Sequence, residues 1–475
     1  MKKLYIIATL LGAFFLQSCD DRLDLAPFDA IDAQQAFDTP AEFSNALRGT
    51  YGTLRDTDYF GGEFMLLPDA ISDNLIICTE GRFSYQDYYN FNVNGNIAWL
   101  DFYRAAYVTI NAANYIIENI DNLDDGEFKD NILGQALGLR AMAHFDLARV
   151  YAEAPQFAGP EDLGLPYVTS TNTGLRPARL GVQETFDRIE ADFLEAEALI
   201  SEDNGTGYLN KASVNGLLAR FYLYSNDFQN AELFATAAIA EPTNTGVADI
   251  SEFPDIWIDA SEVGVAFKVI NTNIDDVNLG SIYNQASPEG IRSEYVPDFE
   301  LFTEFQADDI RLTWFETSSF AGSNFNHIVK YLQRPGSNQG RVDMKVLRWS
   351  EIYLTRAEAR FQNGDPTGAL SDLNEVRSNR YSGFVNGNES GAALGAEIAR
   401  QRRLELAFEG HRMFDLKRKG LPIQRSNNGD LADGTGRPPE SDVLTLPASS
   451  PVWVMPIPQE ELNANVNMEP NPSNG

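Results

Sequence analysis

Apolar residues recur every three to four positions along several long stretches, and that period predicts a chain built mainly from amphipathic helices. The first stretch opens near Pro40, where Phe43, Ala46, Leu47, Tyr51 and Leu54 fall on one face. IAWLDFYRAAYVTINAANYIIENI and FKDNILGQALGLRAMAHFDLARVYAEAP predict two more helices, the second expected to stop at Pro155, which has no N–H to donate. Helical spacing returns from about Val182 to Ile200, from Lys211 to Tyr224 and over QNAELFATAAIA, and again in WSEIYLTRAEARFQ, ALSDLNEVR and GAEIARQRRLELAFEGHRMFDLKRKG.

Two stretches lose the period. Residues from about Leu66 to Asn96 show none, and from about Pro242 to Val346 Gly, Asn, Asp and Ser accumulate around short β-like pieces, VGVAFKVI and HIVKYL. The prolines of VWVMPIPQEELNANVNMEPNPS predict an extended, packed closing strap.

An internal repeat lies within the helical part. Ala219 precedes Ala231 by twelve residues across an Asn226-Asp227 turn, and Ala357 precedes Ala369 by twelve across Gly364-Asp365. Small residues at these points let paired antiparallel helices approach closely, as in tetratricopeptide-like hairpins. Two such copies do not make a regular solenoid, so the rest of the chain is expected to cap and elaborate them.

The first residues change the picture of where the chain resides. Lys2 and Lys3 precede an apolar run from Leu4 to Leu16 and the tetrapeptide Leu16-Gln17-Ser18-Cys19, the order of a signal peptide. At about 1.5 Å per residue that run makes a helix of roughly 20 Å, too short for a hydrocarbon core of about 30 Å. Leu-x-Ser-Cys resembles the bacterial lipobox, which implies cleavage before Cys19 and acylation of that cysteine. Residues 20–39, polar and acidic, then read as a tether leaving the membrane, and Asp20-Asp21 resembles a signal for export to the cell exterior.

The formal net charge of −33 at pH 7 makes nucleic acid a poor partner and leans against a polyanionic ligand. With Cys19 acylated, Cys78 has no partner for an intramolecular disulfide, so stability is expected to come from burial, for which a 43% hydrophobic composition suffices.

Taken in order, the helical segments resemble the SusD/RagB family across essentially the whole mature chain. LRAMAHFDLARVYAEAP resembles its Arg-Ala helix, although Ala152 and Glu153 replace the usual glycine step. NKASVNGLLARFYLYSNDFQNAE, DMKVLRWSEIYLTRAEARFQNGD and ALSDLNEVRSNR resemble its hairpins, RQRRLELAFEGHRMFDLKRKG its charged signature and MPIPQEEL its closing Pro-Ile-Pro. Gln401 stands where the family usually has glutamate, which puts one helix-surface ion pair in doubt.

The resemblance implies a mainly α fold, a tetratricopeptide-like superhelix of helical hairpins with an irregular ligand-binding face. It further implies a lipoprotein on the outside of the outer membrane that binds glycan and closes over a SusC-like TonB-dependent barrel. The expected divisions are a signal segment (1–18), a lipidated tether (19–39), an N-terminal SusD-like scaffold (40–241), an irregular ligand-binding insertion (242–346) and C-terminal helices with a tail (347–475). In the charged signature, Arg402 with Glu405, Glu405 with Glu409 and Arg412 with Asp415 stand three or four apart, so a network laced along one helix is expected, with Gly410 allowing close packing.

Constellations for catalysis are missing. His144, His327 and His411 stand too far apart for local ligand pairing, and no His-Glu-x-x-His helix, Gly-x-Ser-x-Gly elbow or P-loop occurs. Asn271-x-Asn273-x-Asp275 has the opening rhythm of a calcium loop without its later glycine and glutamate. The expectation is therefore a non-enzymatic protein with neither cofactor nor metal in its site.

Sugar recognition needs flat aromatic faces, amides and a few charges. The irregular stretches contain them. Arg82, Tyr85, Tyr88, Tyr89 and Asn94 lead into Trp99, and Tyr283 and Asn284 form a second cluster ahead of Trp314. These nine are the candidate ligand-binding residues, on a groove near residues 70–99 and 270–330. For Trp99, packing at a helix start stands equally beside a ligand contact; for Trp314 and each single tyrosine, packing is the more common outcome. Trp257, Trp349 and Trp453 read as core. The ligand expected is a neutral glycan; a peptide taken up by the same route and a scaffold that binds only proteins stand as alternatives.

Overall fold

The computed structural model describes residues 37–474 apart from Ala98, Glu202 and Asp276. The expected signal segment, the acylated Cys19 and most of the tether lie outside the described residues. The principal helices are α1 (Pro40–Thr53), α2 (Glu63–Ala70), α3 (Leu100–Asn119), α4 (Glu127–Tyr151), α5 (Val182–Leu199), α6 (Lys211–Tyr224), α7 (Phe228–Ala240), α8 (Trp349–Gln362), α9 (Pro366–Ser378), α10 (Gly391–Glu405), α11 (Arg412–Arg418) and α12 (Gln459–Ala464). The strands used below are β1 (Leu75–Ile77), β2 (Val265–Val269), β3 (Gln285–Ser287), β4 (Gly290–Arg292), β5 (Tyr295–Pro297), β6 (Phe315–Phe320), β7 (Ser323–Ile328) and β8 (Met344–Arg348). Among the described residues they form only two-stranded antiparallel pairs, β1 with β5, β2 with β8, β3 with β4 and β6 with β7.

The helix starts are written in the sequence. Thr39 accepts from the Glu42 N–H while the Glu42 carboxylate accepts from the Thr39 N–H, and Pro40 supplies the first helical position of α1. Asn210 and Ser213 make the same reciprocal cap for α6.

The two hairpins repeat one device. Asn226 (φ 61°) and Gly364 (φ 85°) take the left-handed turn. The aspartates that follow then cap the next helix, Asp227 accepting from the Asn230 N–H at 3.1 Å and Asp365 from the Gly368 N–H at 2.9 Å. Ala219, Ala231, Ala357 and Ala369 are all fully buried, as close helix pairing requires. The hairpins stack through α7 and α8, where Arg360 meets Glu232 at 3.3 Å and Asn363 donates to the Phe228 carbonyl at 3.0 Å. A core of Leu354, Leu373, Val376, Leu394 and Ile398 joins the second hairpin to α10.

Three expectations need correction. The stretch beginning near Leu66 contains α2, whose residues Phe64–Ala70 are all buried; a helix without a polar face leaves no period to read. The long helix α4 ends at Tyr151 rather than at Pro155, because Lys417 donates to the carbonyls of Arg149 and Ala152 at 2.9 and 2.6 Å and satisfies its end. The charged signature is not one helix. Phe408 (φ 67°) and Gly410 (φ 74°) turn the chain between α10 and α11, and a Cβ on Gly410 would stand 2.9 Å from the Phe64 carbonyl oxygen.

That turn redirects the charges inward. Arg402 pairs with Asp415 at 2.9 Å and Arg412 with Asp73 at 2.6 Å, while Glu405 lies between Arg348 (2.7 Å) and Arg380 (2.8 Å), with Arg311 at 3.4 Å. Glu409 joins Arg348 at 2.6 Å and Lys330 at 2.7 Å. Gln401 is buried rather than on a helix surface, and its oxygen accepts from Arg311 at 3.0 Å. The network is an interior clamp between α10, β8 and the irregular insertion.

Candidate functional site

Pairing of β1 with β5, in the register Leu75 with Pro297 and Ile77 with Tyr295, brings the two irregular stretches together. The loop leaving β1 is then pinned at both ends. At the first, the buried Glu294 carboxylate accepts from the Arg82 N–H at 2.6 Å and the Arg82 Nε at 2.7 Å, and the Ser84 carbonyl accepts from the Tyr295 hydroxyl at 2.8 Å. Burial alone would raise the Glu294 carboxyl; the hydrogen bonds and charge of Arg82 outweigh it and hold the group below its usual value. At the second, the Arg425 guanidinium lies 3.8 Å from the Tyr89 ring and 4.5 Å from the Phe91 ring. It donates to the carbonyls of Ile71, Ser72 and Tyr89 at 2.7–2.9 Å.

Between the pins the backbone is strained. Phe83 (φ 58°), Tyr85 (φ 60°) and Phe91 (φ 58°) all occupy the left-handed region, where each non-glycine residue costs about 1–3 kcal/mol. Seven described non-glycine residues have a positive φ, and three of them, all aromatic, fall in these nine positions. The fold therefore spends conformational energy to hold rings at a chosen angle.

Of the nine candidates, four remain accessible. The Arg82 side chain is 58% exposed, and Tyr85, Tyr88 and Asn94 are partly exposed. The rings of Tyr85 and Tyr88 stand 6.3 Å apart at 49°. Asn94 lies beside the start of α12, where the Gly95 carbonyl accepts from the Gln459 N–H at 2.8 Å.

The other five are buried, and the expectation that they touch ligand is corrected. Trp99 is fully buried against Phe102 (5.2 Å) and Phe64 (6.0 Å). Tyr89 lies under Arg425. Tyr283 packs on Tyr331 (6.3 Å) and Phe408 (6.0 Å), and the Asn284 side-chain oxygen accepts from Gln339. Trp314 packs on Phe253 and Trp257, with the Lys330 ammonium 3.7 Å from its ring centre. Trp257, Trp349 and Trp453 are buried as expected.

Sequence reasoning passed over the acidic side of the site. Glu63 lies near Tyr85, and burial, reinforced by Asp58, pushes its carboxyl up to about 7. Asp58 and Asp101 approach Arg104 at 3.8 and 3.3 Å. The only available signal was indirect, a charged face at the start of α3. Phe83, 5.8 Å from the Arg437 guanidinium, stands inside the aromatic run without having been singled out.

Burial lowers His144 and His411 to about 3 and His327 to about 4, keeping all three neutral. Among the described residues, no group of three or more His, Cys, Asp or Glu side chains is placed to hold a metal ion. The Asn271 amide donates to the Val277 and Val342 carbonyls, and Asp275 accepts from Thr272 and pairs with Arg55, so the calcium-like rhythm is occupied by the protein itself.

Comparison with known proteins gives consistent matches. The sequence profile of the SusD family matches residues 277–473, and a profile described as "Starch-binding associating with outer membrane" matches residues 66–223. SusD-like protein P2 of Formosa agariphila is 26% identical, covering 99% of each chain, and SusD-like protein P38 of the same organism is 24% identical, covering 90% of this chain and 93% of its own. Among solved structures, a putative sugar binding protein from Bacteroides vulgatus superposes with a TM-score of 0.82 at 27% identity, over 93% of this chain and 100% of its own. A SusD superfamily protein from Bacteroides thetaiotaomicron gives 0.80 at 22% identity, over 91% of this chain and 100% of its own.

Proposed function

This chain belongs to the SusD/RagB family, and from that premise we propose that it binds extracellular polysaccharide or oligosaccharide without turning it over and delivers it to a SusC-like TonB-dependent transporter. The carrying observation is the strained aromatic loop. Tyr85 stands at the surface, beside Arg82 and Tyr88, on a backbone strained at Phe83, Tyr85 and Phe91, and outliers of that kind gather at ligand sites. Partly exposed tyrosine rings offer faces to the C–H-rich side of a pyranose, while Arg82 and Asn94 offer donors to hydroxyls. The sugar-binding description of the Bacteroides vulgatus protein, 27% identical over nearly the whole chain, supports the same reading.

The family profile that names outer-membrane association supports a place at that membrane. The proposal adds acylation at Cys19, from the Leu16-Gln17-Ser18-Cys19 sequence, and exposure to the exterior. The strongly negative surface favours a neutral glycan over an acidic one.

Gel retardation against glucans, xylans, mannans, galactans, fructans and pectins, with oligopeptides titrated in parallel, tests the reading. Retardation by at least one glycan, lost in the Tyr85→Ala/Tyr88→Ala double variant, is the expected result. A protein that passed every glycan and held peptides would overturn it in favour of a peptide-binding role.

A further inference from the structure

A cleft of about 680 Å³ opens between the outer face of α3, the strap formed by residues 166–177, and α12. That volume falls within the range of small-molecule sites. Tyr103 and Tyr107 form one wall, their ring centres 4.8 Å apart, and Val108 and Leu175 line it with half their surface exposed. Single exposed apolar residues need no explanation, but two lining one cavity beside a tyrosine pair make an apolar surface of useful size.

The cleft is braced rather than left between loose loops. The Tyr107 hydroxyl donates to the Pro166 carbonyl at 3.0 Å, Arg176 Nε to the Ala464 carbonyl at 3.0 Å, and the Asn465 amide to the Pro177 carbonyl at 2.9 Å. Thr171 is tied to Glu118 through its N–H at 2.9 Å. These bonds fix both walls, so a ligand entering the cleft need not order them.

The polar groups around the cavity include several that the protein leaves open. The side chains of Asn111 and Thr173 make no hydrogen bond among the described residues, and Asn172 uses only its oxygen, accepting from the Gly174 N–H. The lining carries two arginines, Arg104 and Arg176, and two glutamates, Glu460 and Glu461. Ring surface, small apolar rim, open amides and hydroxyls, and no dominant charge are the requirements of an uncharged polyhydroxylated ligand.

The cleft also continues the aromatic loop. Asp101, Arg104, Val108 and Asn111 stand three or four apart and share one face of α3, a track of about 15 Å at about 1.5 Å per residue. Arg104 lines the cleft and reaches Asp101 and Asp58, which stand beside Glu63 and Tyr85. We propose that the cleft is a second subsite for a neutral glycan, so that one oligosaccharide runs from Tyr85 and Tyr88 across Arg104 to Tyr107, whose ring the buried Tyr103 backs. The inference rests on the glycan-binding reading above and extends it to a site and a minimum ligand length.

Titration calorimetry with the retained glycan, offered as its disaccharide and as longer oligosaccharides, tests this. The variants are Val108→Arg/Leu175→Arg, which fills the cleft from two exposed positions, Asn111→Ala, which removes only an open amide, and Tyr85→Ala/Tyr88→Ala. The expected result is that both cleft variants weaken the longer chains, the double variant by about tenfold or more as the second subsite is lost, while the disaccharide binds as in the parent. Equal affinity for short and long chains in all cleft variants would overturn the second subsite and leave the glycan reading intact. Loss of the disaccharide in the cleft variants with the tyrosine variant unaffected would overturn the shared track. Failure of the parent to hold any glycan would defeat the glycan reading itself.

Discussion

Arg82 and Glu294 lie 212 residues apart in sequence, and the Nε of one meets the carboxylate of the other at 2.7 Å. The carboxylate is buried and also holds the Arg82 N–H, so a single acid from the C-terminal side of the β4–β5 turn fixes the backbone of the aromatic loop. Glu294→Ala is expected to free the loop without dissolving the core. Amide hydrogen exchange over residues 82–91 should accelerate while α4 remains protected, and glycan affinity should fall by about tenfold, the effect of losing about 1.4 kcal/mol of preorganisation. Unchanged exchange across the loop would show that Glu294 does not set it.

Glu63 gives the site a pH dependence with a definite sign. Its carboxyl is raised from a usual 4.5 to about 7 by burial and by Asp58, with Tyr85, Tyr88 and Asp101 near it. A folded-state value above the unfolded one means that the protonated form is favoured on folding. The contribution is whole below about pH 4.5 and is lost as pH rises to about 7. Glu63→Gln keeps the neutral shape and abolishes that loss. Denaturant unfolding at a series of pH values should show the variant gaining about 2–3 kcal/mol on the parent between about pH 5 and about pH 8. Parallel stability curves for the two proteins would refute the assignment.

Trp99 distinguishes a structural ring from a binding ring. Fully buried against Phe64 and Phe102, it should behave as core: Trp99→Ala is expected to cost about 3–5 kcal/mol in unfolding free energy. Trp99→Phe should cost less and leave glycan affinity as in the parent. A Phe variant of normal stability that had lost the glycan would return Trp99 to the binding face.

These contrasts separate what was legible in the sequence from what was not. The hairpins were legible because their period, their small residues and their Asn226-Asp227 and Gly364-Asp365 turns are local, and local chemistry is what sequence displays. The aromatic run from Arg82 to Tyr89 was legible as composition. Which rings face outward was not, because in an irregular segment orientation is set by distant partners such as Glu294 and Arg425 rather than by a repeat. The same holds for Trp314 and Tyr283, whose burial is set by Lys330, Tyr331 and Phe408. The charged signature misled differently: its three- and four-residue spacings fit a surface helix, but the left-handed turn at Phe408 and Gly410 sends the same residues to partners in β8 and α2's flank.

That interior network makes the last prediction. Glu405 is fully buried between Arg348, Arg380 and Arg311, and although burial would raise its carboxyl, the three guanidiniums hold it well below the usual range. Taking three cations and one anion out of water is itself unfavourable, so the cluster is not a large net source of stability. Its importance lies in what remains when one member leaves. Glu405→Ala leaves the buried Arg380 guanidinium without a counter-charge, while Arg348 keeps Glu409 and Arg311 keeps Asp309, and such a loss is expected to cost about 3–5 kcal/mol. Arg311→Met removes one cation from an over-supplied carboxylate, yet it also leaves Asp309, 2.8 Å away, unpaired, so it too should destabilise. Combining it with Asp309→Asn should recover part of the loss, because the stranded anion is then gone. Equilibrium unfolding of the parent, the two single variants and the double variant decides the point: additive losses for the Arg311 and Asp309 changes would mean that the pair is not coupled.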